Sequence, residues 1–420
     1  MDPKSAIPEV DFATALKVHL KIGLLSFGGP AGQIALMQHE IVERRGWVAA
    51  ASFDRGLSFA MMLPGPEAQQ LATWLGWRLH GVIGGLAAGL AFILPGAALM
   101  IGLAWLAAAK GDVPMVAAVF AGVQPAVIAL VLAAMGKIGG RALKTPAHWA
   151  LAVAAFAGLY LLGLPFPLIV ALAAVAGLVI AKDDPGQTGG ATTPGLWRHF
   201  AVVAGVTAAL VVAVFATVAL TLGRNPFQDV AELFTTAAFV TFGGAYAVLP
   251  FVAENAVEQY GWLSAAQMLN GLAIAEATPG PLILVNTYAG FFAGWSTPGS
   301  GGGTGAAGAL TAALATFYTF APSFMLILAF APVVERVQNV AWARRALAGV
   351  SAAVVGVILN LALYLAEASF FPSGLDAPEW AKLGLFAAAL LLVFRFKVGM
   401  LALVGFGVAA GLAFGLLGWF

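Results

Sequence analysis

The stretch from Phe27 to Pro66, FGGPAGQIALMQHEIVERRGWVAAASFDRGLSFAMMLPGP, occurs twice in this chain. Adding 215 to each number gives the second copy, Phe242 to Pro281, without a gap, and 15 of the 40 aligned positions are identical. The shared positions include Phe-Gly-Gly at the start, Gly-Trp in the middle and Pro-Gly-Pro at the end. Because Gly and Pro interrupt helices, a duplication that keeps them keeps a backbone shape. We therefore expect this shape to be the working part of the protein.

The composition is that of a membrane protein. The chain has 420 residues, of which 61% are hydrophobic and 9% are charged, whereas a soluble domain carries roughly 25% charged residues. A net charge of +1 gives no strong attraction to nucleic acid. With no cysteine and five scattered histidines, we expect neither a metal site nor a cofactor. These features predict an all-α polytopic membrane protein in contact with lipid.

Two short helical arms flank each Pro-Gly-Pro. In the first copy the arms are residues 53–63 and 67–80, with 11 and 14 residues, so neither exceeds about 21 Å. Neither arm can cross a hydrocarbon core of about 30 Å alone. The pattern favours broken, re-entrant helical hairpins over its alternative, one long kinked helix.

The repeat extends over most of the chain. Ordinary spans are predicted at about 82–108, 114–137, 147–162 and 166–181, then a disorder-prone linker at 182–194 and an unpaired span at about 199–222. Pro95 and Ala121-Gly122-Val123 recur as Pro322 and Ala348-Gly349-Val350. The predicted divisions are a first half (1–181), a linker with the connecting span (182–226) and a second half (227–420).

Loop charges predict how the halves are oriented. Residues 43–55 and 137–148 each carry three basic residues, whereas the corresponding loops 258–270 and 367–382 are poor in Lys and Arg. Basic residues favour cytoplasmic loops, so the two homologous halves are expected in inverted topology. An unpaired span between them is what such an inversion requires if each half crosses an even number of times.

Helix breaks at membrane depth can bind anions. A helix that begins inside the membrane leaves its first N–H groups without intrahelical partners, and the positive end of its dipole adds to them. A small oxyanion therefore suits the breaks, with Gln70 and Thr287 as further donors. The alternative is that these residues only permit close helix packing. The candidate binding residues are Gly28, Gly29, Pro64, Gly65, Pro66, Gln69, Gly243, Gly244, Thr278, Pro279, Gly280, Pro281 and Asn286.

Charged groups near the breaks are candidates for coupling or gating, because charge at membrane depth is costly. Glu276 lies three residues before Pro279 in an apolar run and is the leading candidate for a coupling carboxylate. Glu67 begins a half-helix, where an acidic residue is also favoured by the dipole alone. His39 and Glu254 follow the Phe-Gly-Gly turns and line either a vestibule or a solvated face.

The repeated motifs resemble the chromate ion transporter family, known as CHR. In the first half the resemblance rests on residues 27–33, 43–47 and 63–66. In the second half it rests on residues 242–250, 261–262 and 278–281, so it covers both halves of a full-length member. Many family members have His where this chain has Gln33 and Gly where it has Ala245, so a role for a protonatable group at position 33 would fail here.

The resemblance implies a secondary active transporter that exports chromate across the bacterial inner membrane by alternating access and confers chromate resistance. A sulfate or general oxyanion carrier and a passive anion channel remain as alternatives. An enzyme such as a chromate reductase would need a redox cofactor site that the chain does not show, so we expect no enzyme. The coupling ion and oligomeric state stay open, with protons and a homodimer as options.

Overall fold

The computed structural model describes residues 9–180, 196–223, 225–242, 244–297, 304–334, 341–374 and 376–418. The regular structure of these residues is helical, with no β-strand among them. The linker predicted at 182–194 lies outside the described residues, and so does Gly243. The helices are α1 (Phe12–Leu25), α2 (Gly29–Met37), α3 (Ala50–Ala60), α4 (Glu67–Lys110), α5 (Pro114–Ala142), α6 (Pro146–Tyr160), α7 (Phe166–Ile180), α8 (Leu196–Thr221), α9 (Phe227–Val240), α10 (Ala245–Ala253), α11 (Ala265–Ala277), α12 (Val285–Trp295), α13 (Thr304–Phe330), α14 (Ala341–Phe370), α15 (Trp380–Phe394) and α16 (Met400–Leu416).

Five of these helices, α4, α5, α8, α13 and α14, are long and apolar enough to cross a membrane. By contrast, α6 and α7, predicted as ordinary spans, have 15 residues each, which is about 22 Å. They are short because Gly163 and Pro165 interrupt the apolar run between them. The connecting helix α8 has no buried residue in its apolar window, so most of its surface is left for lipid, although His199 and Phe200 contact Leu328 and Phe330 of α13.

The Pro-Gly-Pro segments are the tips of helical hairpins. The backbone of α4 leaves helical geometry at His80 and Gly81, so its first part is a separate arm. Gly56 lies nine residues before the tip glycine, Gly65, and Trp74 lies nine residues after it. The two residues are in contact, since a Cβ on Gly56 would overlap the Trp74 ring. Gly271 packs on the ring of Tyr288 in the same way in the second copy. In that copy the paired residues lie nine residues before and eight residues after the tip glycine. Contacts at such nearly equal distances from the tip require arms that fold back, which confirms the hairpin prediction.

The Phe-Gly-Gly segments are also hairpin tips. After the first one, α2 and a π-helical turn (Gln38–Glu43) return along α1, since Lys21 Nζ lies 2.7 Å from Glu40 Oε1. In the second copy, α10 and the π-helical turn Glu254–Gln259 return along α9, and the rings of Phe234 and Trp262 are 6.3 Å apart. Each half therefore contributes two hairpins.

The two halves run in opposite directions. Helices α4 and α13 carry the matched Pro95 and Pro322, yet they pack antiparallel. A Cβ on Gly85 would lie 2.8 Å from Leu328 Cδ2, and a Cβ on Gly305 would lie 3.5 Å from Trp105 Nε1. Residues early in one helix thus meet residues late in the other. Equivalent helices that run antiparallel confirm the inverted repeat.

The second matched pair, α5 and α14, is antiparallel too. Ser369 Oγ, near the end of α14, donates to Gln124 Oε1 in the first half of α5, 3.0 Å away. A Cβ on Gly139, near the end of α5, would lie 3.6 Å from Val355 Cγ1. Each of these helices also packs against short helices of the opposite half. Gly122 of α5 contacts Gly407 of α16, and Gly349 of α14 contacts Gly177 of α7. Small residues at such crossings let helix backbones approach closely.

Candidate functional site at the helix breaks

The four hairpin tips meet in two reciprocal contacts between the halves. The N–H of Gly65, in the first Pro-Gly-Pro tip, donates to the Thr241 carbonyl oxygen at 2.8 Å. The N–H of Gly280, in the second Pro-Gly-Pro tip, donates to the Ser26 carbonyl oxygen at 3.0 Å. Both pairs are related by the 215-residue offset of the repeat. Each Pro-Gly-Pro tip is therefore closed by the helix end that precedes Phe-Gly-Gly in the other half.

The hydroxyls of Ser26 and Thr241 complete these helix ends. Each donates to the carbonyl four residues earlier, from Ser26 to Ile22 and from Thr241 to Ala237. The terminal carbonyls then remain to accept from the opposite tip. Sequence reasoning missed both residues, although a detectable signal existed, because the repeat continues one position before Phe27 with Ser matched by Thr.

A second reciprocal contact packs each tip against a span of the other half that carries a proline. A Cβ on Gly65 would overlap Ser323 Oγ, directly after Pro322 in α13. In the symmetric place, a Cβ on Gly96, directly after Pro95 in α4, would overlap the Pro279 carbonyl oxygen. Gly65 and Gly280 have φ angles of +117° and +102°, which L side chains rarely adopt. The tip glycines therefore have a structural role that is explained by packing and backbone geometry.

The two tips differ in the side chain that holds them. Gln33 Nε2 donates to the Gly280 carbonyl oxygen at 2.6 Å, but the matching residue of the second half is Val248. The first tip is held from its own hairpin, where Gln70 Nε2 donates to the Pro64 carbonyl oxygen at 2.7 Å. Position 33 thus needs a hydrogen-bond donor, which a neutral amide supplies without titrating.

The other predicted donors bond mostly within the helical bundle. Gln69 Nε2 donates to Thr73 Oγ1 at 2.9 Å, and Asn286 Nδ2 donates to Thr319 Oγ1 at 3.2 Å. Thr287 pairs with Thr316 at 2.8 Å, and Thr278 Oγ1 donates to the Ala275 carbonyl oxygen at 3.3 Å. Pro66 and Pro281 precede the first residues of α4 and of a 3₁₀ turn (Leu282–Leu284). The Ser323 hydroxyl beside Gly65 is buried without a partner, so it remains available for a ligand.

The first Phe-Gly-Gly turn has free space around its glycines, unlike the packed Pro-Gly-Pro tips. Gly28 is exposed, and a Cβ on Gly29 would meet no atom within 4 Å. In the second turn a Cβ on Gly244 would lie 3.7 Å from Glu67 Oε1. These turns have room for a ligand that the packed tip glycines lack.

Two carboxylates lie near the second Phe-Gly-Gly turn. Glu276 is buried at 3% exposure and accepts a hydrogen bond from the Tyr246 hydroxyl, two residues after Gly244. Glu67, at the start of α4, approaches Gly244 itself. The positions that match Glu276 and Glu67 are Met61 and Leu282, so this acidic environment belongs to one turn only.

His39 and Glu254 lie apart from the tips. His39 Nδ1 pairs with Glu43 at 3.0 Å, both side chains being more than half exposed, and Glu254 is exposed. A different ionic cluster was missed by sequence reasoning. Glu40, with 5% of its side chain exposed, binds Lys21 at 2.7 Å, Arg44 at 3.3 Å and Arg45. Arg44 and Arg45 therefore do more than mark the side of the membrane, because they compensate a buried carboxylate.

Among the described residues, no three His, Cys, Asp or Glu side chains gather in a way that could hold a metal ion. Broken hairpins, antiparallel equivalent spans and polar groups at the breaks define the class of an inverted-repeat membrane transporter.

The comparisons with known proteins name the family. The chromate transporter family matches this chain twice, at residues 13–178 and 228–412. The chain therefore belongs to the chromate transporter family, a family of membrane transporters and not of enzymes.

Relatives match over most of their length. A chromate transport protein of Pseudomonas aeruginosa is 33% identical, over 98% of this chain and 93% of the relative. A chromate transport protein of Cupriavidus metallidurans is 28% identical, over 90% of this chain and 86% of the relative. A probable chromate transport protein of Synechococcus elongatus is 28% identical, over 83% of each. No solved structure matches the chain.

Proposed function

We propose that the protein is a secondary active transporter that exports chromate from the cytoplasm across the bacterial inner membrane by alternating access. The observation that carries this proposal is the reciprocal pair of tip contacts, Gly65 to Thr241 and Gly280 to Ser26. Two equivalent contacts in inverted halves can break in turn, which is what alternating access between inverted repeats needs. The proposed division is 1–181 and 227–420 as the halves, joined by 182–226.

The tip contacts also suggest how binding and opening are linked. When a hairpin withdraws, the N–H of its tip glycine loses its carbonyl acceptor, and an unpartnered buried N–H is costly. An oxygen of the anion can accept from that N–H instead, together with the Ser323 hydroxyl at the first tip. The anion would thereby stabilise the open tip. The N–H groups at the start of α4 and the open Phe-Gly-Gly turn extend the same site.

The proposed direction of transport, out of the cytoplasm, is based on the loop charges and on the charge of the anion. Loops rich in Lys and Arg mark the cytoplasmic end, and a dianion leaving a cell that is negative inside gains about 2.3 kcal/mol per charge per 100 mV. The membrane potential by itself therefore favours the export of chromate, and coupling to protons would add to this driving force. We propose Glu276 as the coupling carboxylate if protons take part, with the Tyr246 hydroxyl positioning it, and Glu67 as the second candidate.

The test is uptake of labelled chromate into inside-out membrane vesicles. Wild type should give saturable uptake that depends on the imposed membrane potential, and Glu276→Gln should change the effect of a pH gradient while Glu43→Gln, the exposed control, should not. Full competition by sulfate would widen the substrate to oxyanions in general. Flux that does not saturate and shows no counter-transport would identify a passive channel and refute the proposal.

A further inference from the structure

A cavity of about 420 Å³ opens at the end of the bundle opposite the basic loops. It lies where α4 ends and α5 begins, against both arms of the second Pro-Gly-Pro hairpin, and its lining includes Asp112, Gln124, Asn270, Tyr288 and Trp295. At roughly 30 Å³ per water, this volume holds a tetrahedral oxyanion with part of its hydration shell.

A relay of hydrogen bonds orients the amide groups in this cavity. The Ser369 hydroxyl donates to Gln124 Oε1, and Gln124 Nε2 donates to Asn270 Oδ1, each at 3.0 Å. Lys382 Nζ holds the start of the relay by donating to the Ser369 carbonyl oxygen at 3.2 Å. Because the amide oxygens of Gln124 and Asn270 are used as acceptors, the Asn270 side chain has N–H groups to offer to the cavity.

Tyr288 supplies an independent donor. The residue is fully buried, it lines the cavity, and its hydroxyl has no hydrogen-bond partner. A buried hydroxyl without a partner is costly, so a ligand that accepts a hydrogen bond would stabilise it. The ring of Tyr288 is held separately by its contact with Gly271.

We propose that this cavity is a second oxyanion site, on the non-cytoplasmic side, where the transported dianion rests before release. The proposal rests on the proposed function and adds a place on the exit path. Its donors are the neutral Tyr288 hydroxyl and Asn270 amide, and the exposed Asp112 carboxylate at the rim repels a dianion. Neutral donors beside a repelling carboxylate give weak binding, which suits release and opposes return.

The experiment measures both sides of the membrane in inside-out vesicles, whose lumen faces the cavity. The initial rate of labelled chromate uptake is measured at increasing chromate concentrations in the bath, which gives the KM. It is also measured at increasing concentrations of unlabelled chromate inside the vesicles, which gives the half-effective lumenal concentration. In Tyr288→Phe the half-effective lumenal concentration should rise about three- to tenfold, as expected for one lost hydrogen bond, with KM within twofold of wild type. Asn270→Leu should do the same.

Tyr318→Phe is the matched control, because Tyr318 is buried but does not line the cavity. An unchanged lumenal constant in both cavity variants would overturn the proposal, and so would equal changes in KM and the lumenal constant, which indicate a general structural effect. If wild type itself shows no saturable chromate flux, the proposed function fails together with this site. If wild type transports and the cavity variants match it on both sides, this site alone is refuted.

Discussion

Replacing Gln33 by Met tests whether a donor at this position holds the second Pro-Gly-Pro tip. The change keeps the length of the side chain and removes two hydrogen bonds from Gln33 Nε2, one of 2.6 Å to the Gly280 carbonyl oxygen and a longer one of 3.4 Å to the Ser26 carbonyl oxygen. Ser26 keeps its bond from the Gly280 N–H, so only one buried acceptor loses its partner. That loss costs about 1–3 kcal/mol. We expect a lower unfolding temperature of the purified protein, and slower chromate uptake in vesicles because the second tip is less well positioned.

Gln33→His provides the control, since an imidazole N–H can donate to the same carbonyl. It should retain more of the uptake rate and of the thermal stability than Gln33→Met does. Val248→Met, at the matching position of the second half, should change uptake little, because no side chain holds the first tip from there. A Gln33→Met protein with wild-type stability and uptake would refute the role given to this bond.

Three further predictions follow from the packing and the topology. Gly65→Ala should destabilise the protein by about 1–3 kcal/mol in thermal unfolding. Adding Ser323→Gly should recover only the part that is due to overlap with Ser323, because the strain at φ +117° remains. Full stability of the single variant would contradict the packing. Cysteine placed at Asp112 should react with an impermeant thiol reagent added to intact cells, whereas cysteine at Lys144 should react only after the membrane is opened. The chain has no native cysteine to interfere, and labelling of both from outside would contradict the crossing of α5 between these two loops. Glu40→Gln should lower stability by about 1–3 kcal/mol, because Lys21, Arg44 and Arg45 lose their shared anion, while Glu43→Gln should have little effect.

Much of the architecture was predictable because its causes are local. Two prolines that flank a glycine end a helix, whereas single prolines such as Pro95 and Pro322 lie inside helices of this chain. The breaks at 64–66 and 279–281 could therefore be placed from the sequence. Inversion could be inferred from loops, because basic residues are retained on one side of a membrane. The bounds of α6 and α7 also agree with the predicted spans to within two residues, because Gly163 and Pro165 break the apolar run between them.

The partners at the site could not be predicted, because periodicity does not say which helices touch. Asn286 was expected among the anion ligands, yet its amide donates to Thr319 of the next helix. From the sequence, Gln33 is of interest because its side chain cannot titrate. The structure shows instead that its amide donates a hydrogen bond to the Gly280 carbonyl oxygen. Tyr288 was not noticed at all, since a lone Tyr in an apolar helix gives no signal until its hydroxyl is seen to lack a partner.

The exchange of contacts between the halves constrains how the transporter can move. Separating Gly65 from Thr241 leaves an N–H and a carbonyl without partners, at a cost of roughly 1–3 kcal/mol for each buried group. The same cost applies to Gly280 and Ser26, so breaking both contacts together is about twice as costly as breaking one. Opening one tip while the other stays closed is therefore the cheaper motion, and the anion that binds the released N–H lowers the cost further. Because Gln33 adds a bond to the Gly280 tip from the opposite half, whereas Gln70 holds the Gly65 tip within its own hairpin, we expect the Gly65 tip to separate first.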